Sequence, residues 1–202
     1  MDEEHLPLFL RKPPPAPPAP PTPEPSTLLH EAAAAGDVPL IRRLIEQGHP
    51  VNLPGDYGNT PLFHAVEHPD AVRVLLEHGA EVCLIDSSGE SILMGAVKAG
   101  NSTSVELLIL NGAEVNQHEG QLSETPIQWA VGEGFIDVVA VLVNHGADPF
   151  MNDFRQLDAL DALAGWAKHD FPKAEEMAKI LRQHPRTWML PMIEKRLNAL
   201  GL

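Results

Sequence analysis

Apolar residues in this chain come in pairs of short blocks, and the pairs recur. Each pair opens at a small hydroxyl residue, Thr27, Thr60, Ser91 or Thr125, and closes at Gly48, Gly79, Gly112 or Gly146. The openers stand 33, 31 and 34 residues apart, and the closing glycines 31, 33 and 34. The first block of each pair is built from small residues: Ala32 to Ala35, Ala65 and Val66, Ala96 and Val97, Ala130 and Val131. The second is strongly apolar, as in Leu40, Ile41, Leu44 and Ile45, or Val138, Val139, Val141 and Leu142. Both blocks carry helical spacing, and Gly36, Gly100 and Gly134 stand between them as turn residues. Self-similarity at this period predicts a stacked array in which each helix pair buries its apolar side against its neighbours. The opening hydroxyls are expected to cap the first helices, with Pro61 and Pro126 in the first turn, where a missing N–H costs nothing.

The phrases Thr60-Pro61-Leu62, Thr125-Pro126-Ile127, Gly79-Ala80-Glu81-Val82, Gly112-Ala113-Glu114-Val115-Asn116 and Gly146-Ala147-Asp148 resemble the signatures of the ankyrin repeat. The resemblance implies an all-α solenoid of helix-turn-helix units joined by outward β-hairpin loops, binding proteins with its concave face. Proline content marks 1–25 as a disordered Pro-rich tail, and the resemblance places the repeat domain at 26–185. Within that domain the repeats fall at about 26–54, 55–85, 86–118 and 119–152, with a degenerate fifth at 153–185. A C-terminal capping helix is expected over 186–202, with Leu190, Ile193, Leu197 and Leu200 on one face.

The copies are not identical. Glu67-His68-Pro69-Asp70 replaces the longer first helix and glycine turn in the second, so that helix should be a turn shorter. The third hairpin has one extra residue near Glu119-Gly120, and the fifth unit inserts about five residues around Lys168 to Pro172. It also carries His184 where a closing glycine is expected.

Charge sharpens the functional reading. The chain carries a net charge of −14, and residues 27–150 hold 17 acidic and 4 basic side chains. Nucleic-acid affinity rests on clustered Lys and Arg, so this body disfavours nucleic acid and suits a protein partner with a basic or mixed-charge surface. No stretch approaches the roughly 20 apolar residues of a membrane span. The apolar run Leu6 to Leu10 follows Asp2, Glu3 and Glu4 and is too short for a signal peptide, so a cytoplasmic monomer is expected. Nuclear location or signal-free secretion is also compatible. Nine of the thirteen residues from Pro13 to Pro25 are proline. Arg11, Pro14 and Pro17 fit the R-x-x-P-x-x-P pattern of ligands for proline-reading domains; a semi-rigid tether is the other reading.

Sites of chemistry are sparse. His64-Ala65-Val66-Glu67-His68 matches a zinc-binding H-x-x-E-H, but it falls inside a repeat helix, where His64 takes an inward position. No catalytic residue, metal site or cofactor is expected. Cys83 occupies the position of Asn52 and Asn116 and reads as a buried or half-buried structural thiol. By the resemblance, contacts come from the hairpin tips and the exposed side of the first helices. These are Asp56, Tyr57, Asn59, Ser88, Glu90, Leu122, Glu124, Phe154, Arg155 and Leu157 at the tips, and Glu67, His68, Lys98, Glu133 and Trp166 on the helices. The expected function is a non-catalytic adaptor, scaffold or inhibitor. The alternatives are a targeting arm of an enzyme or effector system, and a chain that resembles ankyrin-type kinase inhibitors.

Overall fold

The computed structural model describes residues 25–202, so the Pro-rich tail and its ligand pattern lie outside the described residues. Five helix pairs stack in order: α1 (Pro25–Ala34) with α2 (Val38–Glu46), α3 (Pro61–His64) with α4 (Pro69–Glu77), α5 (Ile92–Lys98) with α6 (Ser102–Leu110), α7 (Pro126–Glu133) with α8 (Ile136–Asn144), and α9 (Ala159–His169) with α10 (Phe171–Leu181). A final helix, α11 (Leu190–Leu200), follows a single 3₁₀ turn at Thr187–Met189. First helices pack on first helices and second on second, so the core is one continuous strip. Small residues line it where helices approach closely: Ala33, Ala65, Ala96 and Ala130 have no exposed surface. Leu62, Leu93, Ile127 and Leu160, at the second helical position after each opener, are buried to within 1%. Each such side chain contributes about 1.5–3 kcal/mol of burial.

The helix termini depart from the simple capping expectation. Ser91 Oγ accepts from the Met94 amide at 3.1 Å as predicted. Thr27 instead lies inside α1, which starts two residues earlier at Pro25. The buried Thr60 hydroxyl makes no hydrogen bond, and Thr125 Oγ1 donates to Gln128 Oε1 at 3.0 Å. The third helical residue sets whether the opener's own amide finds a local acceptor. Gln128 Oε1 also accepts from the Thr125 amide at 2.6 Å, and Asp161 accepts from the Asp158 amide at 3.0 Å, whereas the second and third copies have Phe63 and Met94 there.

The shortened second unit is as expected: α3 has four residues. The five-residue insertion in the fifth unit forms no loop. It lengthens α9 and α10 to eleven residues each, and Asp170 turns the chain at φ −146° where Gly134 does so at +73°. His184 takes over the closing role, with its Nε2 2.7 Å from the Ala147 carbonyl. Its Nδ1 accepts from the Arg186 amide, which fixes Nε2 as the donor. α11 covers α9 with Ile193 and Leu197 fully buried. Arg196 clasps Asp158 at 3.1 and 3.2 Å and Asp161 at 2.8 Å.

The connecting loops are hairpins only at their necks. Among the described residues, pairing is confined to the isolated bridges Ile85 with Ser91 and Glu119 with Glu124. Four tips close with the same bond, Gly55 N to Asn59 O, Asp86 N to Glu90 O, Glu119 N to Glu124 O, and Asp153 N to Leu157 O. The third spans one residue more than the others, which is the extra residue read from the sequence. Tip one is tied to tip two by Ser87 N to Tyr57 O at 2.8 Å, and tip three to tip four by Phe154 N to Leu122 O at 3.0 Å. No backbone bond joins tip two to tip three among the described residues.

Candidate functional site

The missing rung coincides with a cleft of about 240 Å³ between tip three and the exposed sides of α5 and α7. Its floor is apolar, formed by Met94, Leu122 and Trp129, and its rim carries Glu90, Glu119 and Glu124. A second cleft of about 380 Å³ lies one repeat on, against α7 and α9, and shares Glu124 as its wall. Glu133, Asp153, Asp158 and Asp161 supply its carboxylates, with Leu157 and Ala162 as apolar lining.

The third hairpin explains the first cleft. Asp86 and Asp153 begin their tips and fold back onto them, each accepting from two tip amides. Glu119 begins the longer tip and turns its carboxylate outward from it, accepting from the Ser91 amide at 2.7 Å and from the Ser91 hydroxyl. It supplies the acceptor that Met94 cannot, and it is 4% exposed. Burial raises the Glu119 carboxyl above its ordinary range against the pull of the Ser91 bonds. Burial also raises Asp158, with bonds from the Asp161 and Leu160 amides and the Arg196 charge working against it. Asp153 goes the other way: desolvation opposes ionisation, but the Leu157 and Arg155 amides and the Arg155 guanidinium outweigh it and hold the carboxyl low.

Each cleft already contains a cation of the chain itself. The Lys98 ammonium pairs with Glu90 and lies 4.9 Å from the centroid of the Trp129 ring. Arg155 bridges Glu124 at 2.7 Å and Asp153 at 2.6 Å. Glu133 stands exposed at the end of α7 and forms no ion pair among the described residues.

The structure therefore gathers Glu90, Lys98, Leu122, Glu124, Glu133, Arg155 and Leu157 around the two clefts. Asp56, Tyr57, Glu67, Ser88 and Phe154 are exposed outside them, with Tyr57 78% and Phe154 73% accessible. Three others are engaged within the stack. The Asn59 carbonyl receives Gly55 N, His68 Nε2 reaches the Ala34 carbonyl at 3.0 Å, and Trp166 Nε1 donates to the Val131 carbonyl at 2.7 Å. Sequence reasoning did not single out Met94, Trp129, Asp153, Asp158 and Asp161 as lining residues. Their signal was local: they sit at the third or fourth helical position after an opener, or next to a tip residue already named. Two further expectations are corrected. His64 is not inward; its edge is exposed, and its ring meets His30 edge-on at 5.6 Å between centroids. Cys83 is exposed, because its neighbour Val82 takes the buried position.

Among the described residues no group of three His, Cys, Asp or Glu side chains is arranged to hold a metal, and no helix is long and apolar enough to cross a membrane. The family model described as Ankyrin repeats (3 copies) matches residues 9–86 and 93–186. The chain belongs to the ankyrin repeat family. It is 35% identical over 132 residues to an ankyrin repeat, SAM and basic leucine zipper domain-containing protein 1 from Dasypus novemcinctus, a match covering 62% of this chain and 27% of that protein. It is 31% identical over 121 residues to the ankyrin repeat domain-containing protein SAT10 of Stachybotrys chartarum, covering 59% of this chain and 6% of the relative. It is 32% identical over 100 residues to the palmitoyltransferase ZDHHC13 of Pongo abelii, covering 48% and 16%. The ankyrin stack thus corresponds to about a quarter or less of these relatives' length. Ankyrin repeats are protein-interaction modules.

Proposed function

We propose that the chain is a non-catalytic, monomeric adaptor, scaffold or inhibitor that binds a protein partner across repeats three to five. The observation that supports this most directly is the pair of adjoining clefts with carboxylate rims, the first on an apolar floor. Seven carboxylates face them, against Lys98 and Arg155 and the Arg196 that reaches in from α11. That surplus favours a partner with basic or mixed charge and raises its encounter rate at low salt. Apolar contact at Leu122, Leu157 and Phe154 would supply the affinity that exposed charge does not. Charge reversal at Glu90, Glu124 and Glu133 should abolish partner recovery in affinity purification while far-ultraviolet circular dichroism stays unchanged. Unaltered recovery would place the interface elsewhere. The likeness to a palmitoyltransferase favours a second reading, in which the stack is the targeting arm of an enzyme system. Activity that co-purifies with the chain and is lost in the same variant would support it.

A further inference from the structure

The geometry points to the form of the partner: a polyproline II segment carrying a basic side chain at position i and another at i+3. This rests on the clefts being the binding face and adds what they would read.

The clefts repeat with the ankyrin unit, one between α5 and α7 and the next between α7 and α9. Packed helices lie about 8–10 Å apart, which sets the step between equivalent subsites. A polyproline II chain has three residues per turn and rises about 3.1 Å per residue, so side chains at i and i+3 share a face about 9 Å apart. A β-strand fits less well, since its i and i+3 side chains point to opposite faces. A polyproline II chain also makes no demand for a sheet edge, and the tips present none beyond isolated bridges.

The chemistry of each subsite is shown by the chain's own cations. Lys98 lies over the indole of Trp129 and against Glu90, the arrangement a ring face and a carboxylate offer to any alkylammonium. Arg155 lies between Glu124 and Asp153 one repeat further on. The Lys98–Glu90 and Arg155–Glu124 pairs are partly exposed, weakly held and exchangeable, whereas Arg155 is also bonded to the buried Asp153. The unpaired Glu133 beside the second cleft and the surplus of carboxylates leave room for the incoming charge. Lys98 is then an internal competitor, displaced towards solvent when a peptide cation enters, and Arg155 yields Glu124 to the second cation while keeping Asp153. The residues between the two cations pass over Leu122, whose exposed side chain favours proline or another apolar residue there.

Blocked synthetic peptides test this with the full chain. One carries Lys-Pro-Pro-Arg in a Pro-rich frame, and a second of equal composition carries Lys-Pro-Arg-Pro. Fluorescence anisotropy of labelled peptides should show the first binding about tenfold more tightly, with the difference lost in Glu133→Gln. Lys98→Met should tighten binding of the first peptide severalfold by removing the competitor, whereas a merely structural Lys98 would leave binding unchanged or weaker. Trp129 fluorescence should shift on saturation in the wild-type chain and not in Trp129→Phe. Equal affinity for both peptides would overturn the register while leaving the acidic interaction face intact. Absence of peptide binding, in a chain that still recovers a folded partner through Glu124 and Glu133, would overturn the segment and keep the proposed function.

Discussion

Asn52 and Asn116 hold consecutive ankyrin units together by the same two bonds. Asn52 donates to the Gly79 carbonyl at 3.0 Å and accepts from the Glu81 amide at 2.9 Å. Asn116 donates to the Gly146 carbonyl at 3.4 Å and accepts from the Asp148 amide at 2.7 Å. Cys83 stands at the same place and makes only one weak contact, its Sγ donating to the Gly112 carbonyl at 3.6 Å. The Glu114 amide that an asparagine would receive has no acceptor among the described residues. Cys83→Asn should therefore strengthen one bond and create another. A neutral hydrogen bond contributes about 0.5–1.5 kcal/mol net, and the exposed setting and the ordering of an extra amide argue for a total gain of about 1 kcal/mol. In a folded unit of this size that raises the melting temperature by about 2–4 °C. Differential scanning calorimetry measures the shift, and hydrogen exchange should show the Glu114 amide slowed in the variant. Cys83→Ala, which forms neither bond, should stay within about 0.5 kcal/mol of the parent. A Cys83→Asn variant with an unchanged or lower melting temperature and a fast Glu114 amide would refute the repeat-to-repeat ladder as a source of stability.

Two further outcomes follow from the termini of the stack. Arg196→Met keeps the aliphatic stem but leaves the buried Asp158 without its cation; with Arg196 partly exposed, the loss should be about 1–2 kcal/mol in urea melts at pH 7. Asp158 already has a folded pKa raised by burial, and losing Arg196 raises it further. Protonation relieves the cost, so the deficit should shrink as the pH falls through these raised folded values, above the ordinary carboxylate range; a pH-independent deficit would argue against this account. His64 has a pKa lowered by desolvation and by His30. The unfolded chain binds that proton more readily, so the stability of the first two repeats should be full above about pH 6.5 and fall as the pH drops through the lowered folded value. Thermal melts of the parent and His64→Phe between pH 7.5 and 5 check this, with the variant losing less stability on acidification.

Period, block composition and signature phrases were enough to specify the helix pairs, the short α3, the longer third tip and the terminal helix. The clefts were only partly legible. Glu90, Glu124 and Glu133 are visible as exposed acids, but their pairing with Lys98 and Arg155, or lack of it, depends on neighbours 8 and 31 residues away. The role of Glu119 was harder still, because it depends on what Met94 lacks 25 positions earlier, and absence of an acceptor leaves no motif. Cap geometry failed for a related reason. Ser91 and Thr60 both precede an apolar third helical residue, Met94 and Phe63, yet only the Ser91 hydroxyl accepts an amide, so the opener and its local spacing do not specify the cap.

The unbonded gap between tips two and three makes the ankyrin stack mechanically uneven. Tips one and two are stitched to each other, as are three and four, while the seam between the two pairs is bridged by the Glu119 side chain rather than by backbone. In a linear array, cooperativity is the product of nearest-neighbour couplings, so the weakest seam sets how far unfolding spreads. An occupant lying along the first cleft touches both sides of that seam. On the proposed binding mode its binding energy would act as coupling between blocks, and the occupant would supply the missing rung.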